Sequence, residues 1–280
     1  LPKGILNLVT GYGVDIGDKI VSDPRINMVS FTGGNSVGER ILSHVGLKKI
    51  SMELGSNCPV VVMNDANIEM AMEACVSGAF WAAGQNCLHV QRIYIQDELY
   101  DQFASEFCSR ASNISMGDKL SESTQMGPMI NSRAALKVEA MVQDALDKNS
   151  TLLCGGKRQG NFFQPTVFAN VSSDCLIAKE EVFGPITVLY RFSDKKEAIA
   201  QANDVEFGLQ AGIFTNDLEL AFELADSMDC GGVMINDSSD YRIDAMPFGG
   251  VKGSGVGREG VMNAVKEMTD IKTYCFNLRK

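Results

Sequence analysis

Residues Phe80–Arg92 read FWAAGQNCLHVQR, and this stretch joins a predicted helix to a predicted strand. Apolar side chains at positions 68, 71, 72, 75 and 79 recur with helical spacing, which predicts a helix over Ile68–Trp81. Gly84 then interrupts that helix, and the β-rich run His89–Gln96 follows. Cys87 therefore falls in the turn between helix and strand, where a side chain can face a cleft.

A carboxylate precedes this thiol in a similar turn. The predicted strand Lys49–Leu54 ends in Glu53-Leu54-Gly55, and the apolar run Pro59–Met63 is typical of a strand that is buried on both faces. Such a carboxylate is usually a solvated loop charge, but the carboxyl ends of strands are also where catalytic groups gather in α/β sheets. Glu53 and Cys87 are 34 positions apart.

A strand, a glycine turn and a helix are also predicted further upstream. The strand covers Ile26–Phe31, the turn is Thr32-Gly33-Gly34-Asn35-Ser36, and the helix begins at about Val37. This unit can place the phosphates or ribose of a dinucleotide at a helix N-terminus. It is equally consistent with a tight βα turn that binds no ligand.

The composition indicates a globular α/β protein of one or two domains. The chain has 280 residues, a formal net charge of −10 and 45% hydrophobic residues. The acidic balance argues against a nucleic-acid partner, and the absence of 18 consecutive apolar residues argues against a membrane span. We expect a cytoplasmic protein, because eight scattered cysteines and 14 methionines suit a reducing compartment.

The same residues restrict the chemistry that is possible. The sequence contains no CxxC motif or Cys/His cluster, so no metal site is predicted. His44 and His89 are the only histidines, and neither comes with an obvious orienting partner for a hydrolase. We expect His89 to have a structural role. A thiol reaction would then have to find its base among the carboxylates.

Five segments, in order along the whole chain, resemble the aldehyde dehydrogenase superfamily. The Glu-Leu-Gly turn in MELGSNCPVVV and the Gly-Gln-x-Cys motif in GQNCLHVQR are similar to the family's base and nucleophile motifs. FTGGNSVG is similar to its nicotinamide turn, although Gly34 replaces the usual Ser. The other two landmarks are Glu180–Pro185 (EEVFGP) and the loop PFGGVKGSGVGREG, which begins at Pro247.

The resemblance implies an NAD(P)-dependent aldehyde dehydrogenase and a role for each matching residue. Cys87 would attack the aldehyde, and Glu53 would activate the water that hydrolyses the resulting thioester. The residues implied in cofactor binding are Thr32, Gly33, Gly34, Leu54, Gly55, Glu181 and Phe183. Arg242, just before the Gly-rich loop, is a candidate for an anionic or hydroxylated aldehyde; a surface ion pair with Asp240 or Asp244 is the alternative. The choice between NAD and NADP stays open.

The implied fold is an open twisted α/β sheet with the last part of a Rossmann-like cofactor domain. We predict that residues 1–54 belong to the cofactor domain and residues 55–253 to the catalytic domain. Residues 254–280 should form a return helix and an oligomerisation strand, Asp270–Asn277, in a homodimer or homotetramer. The resemblance also implies a missing segment before Leu1, which carries part of the cofactor pocket.

Two alternatives follow from the same residues. A member of the family that transfers its acyl group to coenzyme A would lack the base, so Glu53 argues against that reaction. A fragment that folds and oligomerises without turnover is the second alternative, because part of the cofactor pocket would be missing.

Overall fold

Helices and strands alternate along most of the chain, and the computed structural model describes residues 1–278. The helices within these residues are α1 (Gly13–Ser22), α2 (Asn35–Leu42), α3 (Ile68–Phe80), α4 (Asp97–Ser112), α5 (Ser132–Asp147), α6 (Leu176–Lys179), α7 (Lys195–Asn203), α8 (Leu218–Asp226) and α9 (Val261–Glu267). A 3-10 turn, Trp81–Gly84, directly follows α3.

Within the same residues, the strands form two main sheets and two short antiparallel pairs, β6-β7 and β10-β13. They are β1 (Met28–Thr32), β2 (Lys49–Glu53), β3 (Cys58–Val62), β4 (Val90–Gln96), β5 (Thr151–Cys154), β6 (Arg158–Gln159), β7 (Phe162–Phe163), β8 (Thr166–Ala169), β9 (Ile186–Phe192), β10 (Phe207–Gly208), β11 (Gln210–Phe214), β12 (Gly232–Ile235), β13 (Val251–Lys252) and β14 (Gly255–Val256).

The larger sheet has seven strands in the order β12-β11-β3-β4-β9-β8-β5. Its strands are parallel except for β5, which runs antiparallel to β8 at the edge. Cores lie on both faces: Val60 and Val62 pack into one, and Val61 packs into the other. Burial on both faces explains why β3 is a continuous apolar run. The predicted mixed α/β class is confirmed.

The smaller sheet positions Glu53. Strands β1 and β2 are parallel, and β14 returns from the far end of the chain to pair antiparallel with β2. Thr32 lies opposite Glu53 on one side, and Gly255 lies opposite Glu53 on the other. Only residues 54–57 separate β2 from β3, so the two sheets are joined by one short connection. The domain boundaries at 54/55 and 253/254 stay predictions.

The predicted strand Asp270–Asn277 is not formed within the described chain. Residues 270–278 have no regular secondary structure, and Ile271 and Phe276 are 100% and 81% exposed. A strand needs a neighbour for its N–H and C=O groups, and this segment has none among the described residues. Residues 279 and 280, the last two of the predicted 254–280 unit, lie outside the described residues. Among residues 1–278, the helices are too short or too polar to cross a bilayer.

Candidate active site

The turn that presents Cys87 has an unusual backbone. After α3, the residues Ala82, Ala83 and Gly84 have φ angles of 51°, 57° and 65°, in the left-handed region. A Cβ on Gly84 would lie 2.2 Å from the carbonyl oxygen of Gly184, so a side chain there would clash with backbone. Two alanines in the left-handed region carry strain that the surrounding structure must offset.

Gln85 fixes this turn to a distant loop. Its side-chain amide donates to the carbonyl oxygens of Ala82 (3.0 Å) and Pro128 (3.3 Å), and its Oε1 accepts from the N–H of Ile130 (2.8 Å). The glutamine of the Gly-Gln-Asn-Cys segment therefore holds the strained turn in place, and Cys87 follows two residues later in a turn.

The Cys87 thiol is half-buried among acidic neighbours. Its pKa is raised to about 12, first by burial and then by the charges of Cys58, Glu181 and Glu53. Its carbonyl oxygen accepts a hydrogen bond from the Ser56 hydroxyl, and the Cys58 thiol lies 3.6 Å away. The thiol is therefore protonated at neutral pH in this state, and a nucleophilic role requires a change in its electrostatic surroundings.

Glu53 is a buried carboxyl group without a hydrogen-bond partner among the described residues. Glu53 is 5% exposed, and neither of its carboxyl oxygens accepts a hydrogen bond from the described residues. Its pKa is raised to about 7, chiefly by burial and secondly by the charge of Glu259, whereas Arg242 and Arg258 act in the opposite direction. A buried acid that titrates near neutrality is a common feature of functional sites.

Ser56 connects the predicted catalytic and cofactor residues. Its backbone N–H donates to Glu181 Oε1 (2.9 Å), while its hydroxyl donates to the carbonyl oxygen of Cys87. Glu53 lies only three residues before Ser56, and its charge acts on the Cys87 thiol. The structure thus brings Glu53, Cys87 and Glu181 into one region, although they are far apart in the sequence.

The predicted cofactor residues of the smaller sheet are tied to the same region by Asn35. Gly33 donates its N–H to the carbonyl oxygen of Glu53 (3.0 Å), and Gly34 is the N-cap residue of α2. Asn35 Oδ1 accepts from the N–H of Gly55 (2.9 Å). A Cβ on Gly55 would lie 2.8 Å from Glu181 Oε2. A residue without a side chain is therefore required between the acceptor oxygens of Glu181 and Asn35.

Four other predicted residues differ in their exposure. Thr32 ends β1 on the exposed side, whereas Leu54 is buried beneath α2. Phe183 has a φ of 50° and is 43% exposed, which is unusual for a large apolar side chain. His89 is buried, and burial lowers its pKa to about 4, so the ring is neutral at pH 7.

Arg242 forms an ion pair, but with a different partner from the predicted Asp240 or Asp244. Its guanidinium donates to Glu259 Oε2 (2.8 Å) and lies 3.9 Å from the centre of the Phe248 ring. Both members of the pair influence the pKa of Glu53. Arg242 therefore lies close enough to Glu53 to affect its charge. Among the described residues, no group of three or more acidic, Cys or His side chains is arranged to hold a metal ion.

A model of the aldehyde dehydrogenase family matches residues 1–274. The chain belongs to this family. It is 48% identical over 278 residues to aspartate-semialdehyde dehydrogenase 1 of Pseudomonas canavaninivorans, covering 99% of this chain and 59% of the relative. It is 41% identical over 279 residues to the lactaldehyde dehydrogenase of Methanococcus aeolicus, covering 100% of this chain and 60% of that protein.

The fold of this chain also matches a solved structure. The glyceraldehyde-3-phosphate dehydrogenase GapN of Methanocaldococcus jannaschii, complexed with NADP, superposes with a TM-score of 0.94 at 43% identity. The match covers 97% of this chain and 59% of that chain. The chain thus spans about six tenths of the length of the family members that it matches.

Three buried polar residues that sequence reasoning did not identify hold the site of this aldehyde dehydrogenase chain together. The Arg92 guanidinium donates to Asn57 Oδ1 (2.8 Å) and to the Asn57 carbonyl oxygen (2.9 Å). The Asn57 amide in turn donates to the carbonyl oxygens of Ala178 (3.0 Å) and Glu180 (3.2 Å). The connection after Glu53 is thereby fixed to the segment that carries Glu181.

Gln91 makes a second connection to that segment. Its amide donates to the carbonyl oxygens of Ile177 (2.9 Å) and Glu180 (2.7 Å), and its Oε1 accepts from the N–H of Val182 (3.0 Å). These contacts lie on both sides of Glu181. A sequence signal was available, because Gln91 and Arg92 are polar residues inside the predicted β-rich run His89–Gln96, and polar groups that a strand buries need a partner.

We expect the buried Glu53 carboxyl to make folding stability fall as the pH rises. The folded state keeps the proton up to about pH 7, whereas an unfolded glutamate loses it near pH 4.5. The folded state therefore binds more protons between these values, and the free energy of unfolding should decrease by roughly 2 kcal/mol between pH 5.5 and pH 8 from this group alone.

Glu53→Gln should remove that decrease, as measured by denaturant unfolding across this pH range. Glu122→Gln, which removes an exposed carboxyl group, is the matched control and should keep the wild-type slope. Parallel slopes for the wild type and Glu53→Gln would show that Glu53 is ionised in both states at these pH values.

Proposed function

We propose that this chain supplies the nucleophile and the general base of an NAD(P)-dependent aldehyde dehydrogenase, which oxidises an aldehyde to a carboxylic acid. The observation that carries the proposal is the position of Ser56. It contacts both Cys87 and Glu181, and it follows Glu53, a buried acid with a pKa near 7, by three residues. Family membership supports this assignment.

In this mechanism, Cys87 attacks the aldehyde carbon as a thiolate. The new S–C bond turns the carbonyl into an alkoxide, which the N–H of Cys87 would help to stabilise. This thiohemiacetal releases a hydride far more readily than the free aldehyde, and the product is a thioester on Cys87. A bound NAD(P)+ would supply the hydride acceptor and a positive charge that favours the thiolate.

Glu53 then serves as the base for hydrolysis. Its carboxylate takes a proton from water, the resulting hydroxide adds to the thioester carbonyl, and the C–S bond breaks to release the acid and the Cys87 thiolate. A base with a pKa near the operating pH combines adequate basicity with a large fraction in the active form. The value of about 7 for Glu53 meets this requirement.

The residues around Gly55 fit a dinucleotide cofactor. The bare backbone of Gly55 lies beside Glu181, which would hold ribose hydroxyls. Asn35 links Gly55 to the Thr32–Gly34 turn, and Leu54 directly precedes Gly55. The exposed ring of Phe183 would lie against the nicotinamide. The M. jannaschii relative was solved with NADP, and either NAD or NADP is compatible with the proposal.

The substrate that we propose is a small anionic or hydroxylated aldehyde. Relatives are named for aspartate semialdehyde, lactaldehyde and glyceraldehyde 3-phosphate. Arg242 lies near Glu53 and is held between Glu259 and the Phe248 ring, so its direction is fixed. A guanidinium in that position can bind a carboxylate or phosphate.

We further propose a cytoplasmic homodimer or homotetramer. The exposed apolar side chains of Ile271, Tyr274 and Phe276 in the C-terminal segment support pairing with another subunit, because several large apolar side chains exposed within one short segment favour association. The eight cysteines are all free thiols in the structure, which suits a reducing compartment.

The roles of Cys87 and Glu53 can be separated by kinetics in the purified protein that contains this chain. Cys87→Ser should lower NAD(P)H formation at least roughly 1000-fold, because a serine hydroxyl is a much weaker nucleophile at neutral pH. Glu53→Gln should give a burst of one NAD(P)H per active site followed by slow turnover, since the thioester forms but is hydrolysed poorly.

Cys275→Ser, which removes an exposed thiol, is the matched control for both variants and should retain wild-type turnover. Steady turnover of Cys87→Ser would contradict the mechanism. Full turnover of Glu53→Gln, with or without coenzyme A, would contradict the assignment of the base.

Arg242 is tested with two aldehydes of equal length, succinic semialdehyde and butanal. Arg242→Met should lower kcat/KM for the anionic aldehyde by about 10- to 100-fold more than for the neutral aldehyde, because a charge-assisted hydrogen bond contributes roughly 1.5–3 kcal/mol. Arg25→Met removes another ion-paired arginine, at the surface, and should leave both values unchanged. Equal losses on both aldehydes in Arg242→Met would contradict the proposed specificity.

A further inference from the structure

Arg242 pairs with a carboxylate of its own chain beside the proposed active site. Its Nη2 group donates to Glu259 Oε2 (2.8 Å), and its guanidinium lies 3.9 Å from the centre of the buried Phe248 ring. That ring belongs to an apolar cluster against which Cys87 packs, and a Cβ on the glycine that follows Phe248 would lie 2.9 Å from Glu53 Oε1. The ion pair therefore lies next to both the proposed nucleophile and the proposed base.

The contact between Arg242 and Glu259 uses only part of the guanidinium. Among the described residues, the Nη2 group donates to Glu259 alone, and the Nε and Nη1 groups donate to no acceptor. The two side chains are 35% and 38% exposed. A guanidinium can bind a carboxylate through two parallel N–H groups, whereas an exposed ion pair contributes little to stability. A dissolved anion can therefore reach Arg242 and compete for it.

Other contacts hold the two side chains near the site when their ion pair opens. The N–H of Glu259 donates to the carbonyl oxygen of Phe248 (2.6 Å), and the N–H of Phe248 donates to the carbonyl oxygen of Glu259 (3.2 Å). The attraction between the Arg242 guanidinium and the Phe248 ring does not depend on the carboxylate. Glu259 can thus release Arg242 without a change in the backbone.

We propose that Glu259 is a specificity-determining residue, because its carboxylate occupies Arg242 in the free protein and an anionic aldehyde must displace it. This role rests on the proposed function, in which Arg242 binds the charged end of the substrate. An anionic aldehyde gains a contact with Arg242 but breaks the contact between Arg242 and Glu259. A neutral aldehyde leaves that ion pair intact. Glu259 therefore reduces the preference of the site for anionic over neutral aldehydes.

The test uses succinic semialdehyde and butanal with the purified protein that contains this chain. The measured quantity is the ratio of kcat/KM for succinic semialdehyde to kcat/KM for butanal, in which effects common to both aldehydes cancel. Glu259→Gln should raise this ratio about fivefold, which corresponds to about 1 kcal/mol for an exposed ion pair. Glu122→Gln, which removes another exposed carboxyl group, is the matched control and should leave the ratio unchanged.

A double variant separates competition for Arg242 from simple repulsion of the substrate by the charge of Glu259. When Arg242→Met is already present, Glu259→Gln should leave the ratio unchanged, because there is no guanidinium to compete for. No rise in Glu259→Gln alone, or an equal rise with and without Arg242→Met, would overturn the role of Glu259. The proposed function still stands in both cases if Arg242→Met lowers the ratio. A ratio that Arg242→Met does not change would contradict the substrate role of Arg242 and, with it, the role of Glu259.

Calorimetric titration with succinate, the product from succinic semialdehyde, measures the same competition without turnover. The Kd of succinate should be about fivefold lower in Glu259→Gln than in the wild type, and it should be equal in Arg242→Met and the double variant. An unchanged Kd in Glu259→Gln would overturn the proposal, even for a variant that has lost its activity.

Discussion

Burial of the short connection between β2 and β3 is the constraint on which the rest of the site depends. Residues 54–57 are buried, so their backbone polar groups must find partners within the protein. Gly55 is bound by Asn35 and Ser254, and Ser56 is bound by Glu181. Each partner comes from a different part of the sequence, and together they determine where Glu53 and Cys87 lie.

The Arg92 side chain shows how strongly this connection is held. A fully buried guanidinium is costly unless its N–H groups are all bonded. Arg92 donates to two oxygens of Asn57, to the Tyr94 hydroxyl and to the carbonyl oxygens of Gln201 and Ala202. None of these five acceptors is a carboxylate. The arrangement therefore distributes the charge of Arg92 over dipoles, and neither Glu53 nor Glu181 forms a salt bridge with it.

Local sequence patterns predicted the elements that carry the site, and long-range contacts account for what they missed. The helix before Cys87, the turn between that helix and the next strand, and the strand that carries Glu53 all follow from spacing and turn residues near each position. For Arg242, the alternative to a substrate role was an ion pair with Asp240 or Asp244, but its partner is Glu259, which lies 17 positions further along the chain. The spacing of residues in the sequence does not show that the chain folds back to bring Arg242 and Glu259 together.

The C-terminal segment depends on contacts that its own sequence does not specify. Residues 270–277 are rich in β-branched and aromatic side chains, as strands are, yet a strand forms only where a neighbour offers hydrogen bonds, and the described residues offer none there. The pairing of this segment with another subunit stays a prediction.

The proposed mechanism requires that the Glu53 carboxylate and the Cys87 thiol belong to a single site. The most direct measurement is the rate of Cys87 alkylation by iodoacetamide as a function of pH, followed by peptide mass mapping, in the wild type and in Glu53→Gln. The negative charge of Glu53 contributes to the raised pKa of Cys87. Removal of that charge should therefore shift the alkylation profile to lower pH, and identical profiles for the two proteins would contradict a shared site.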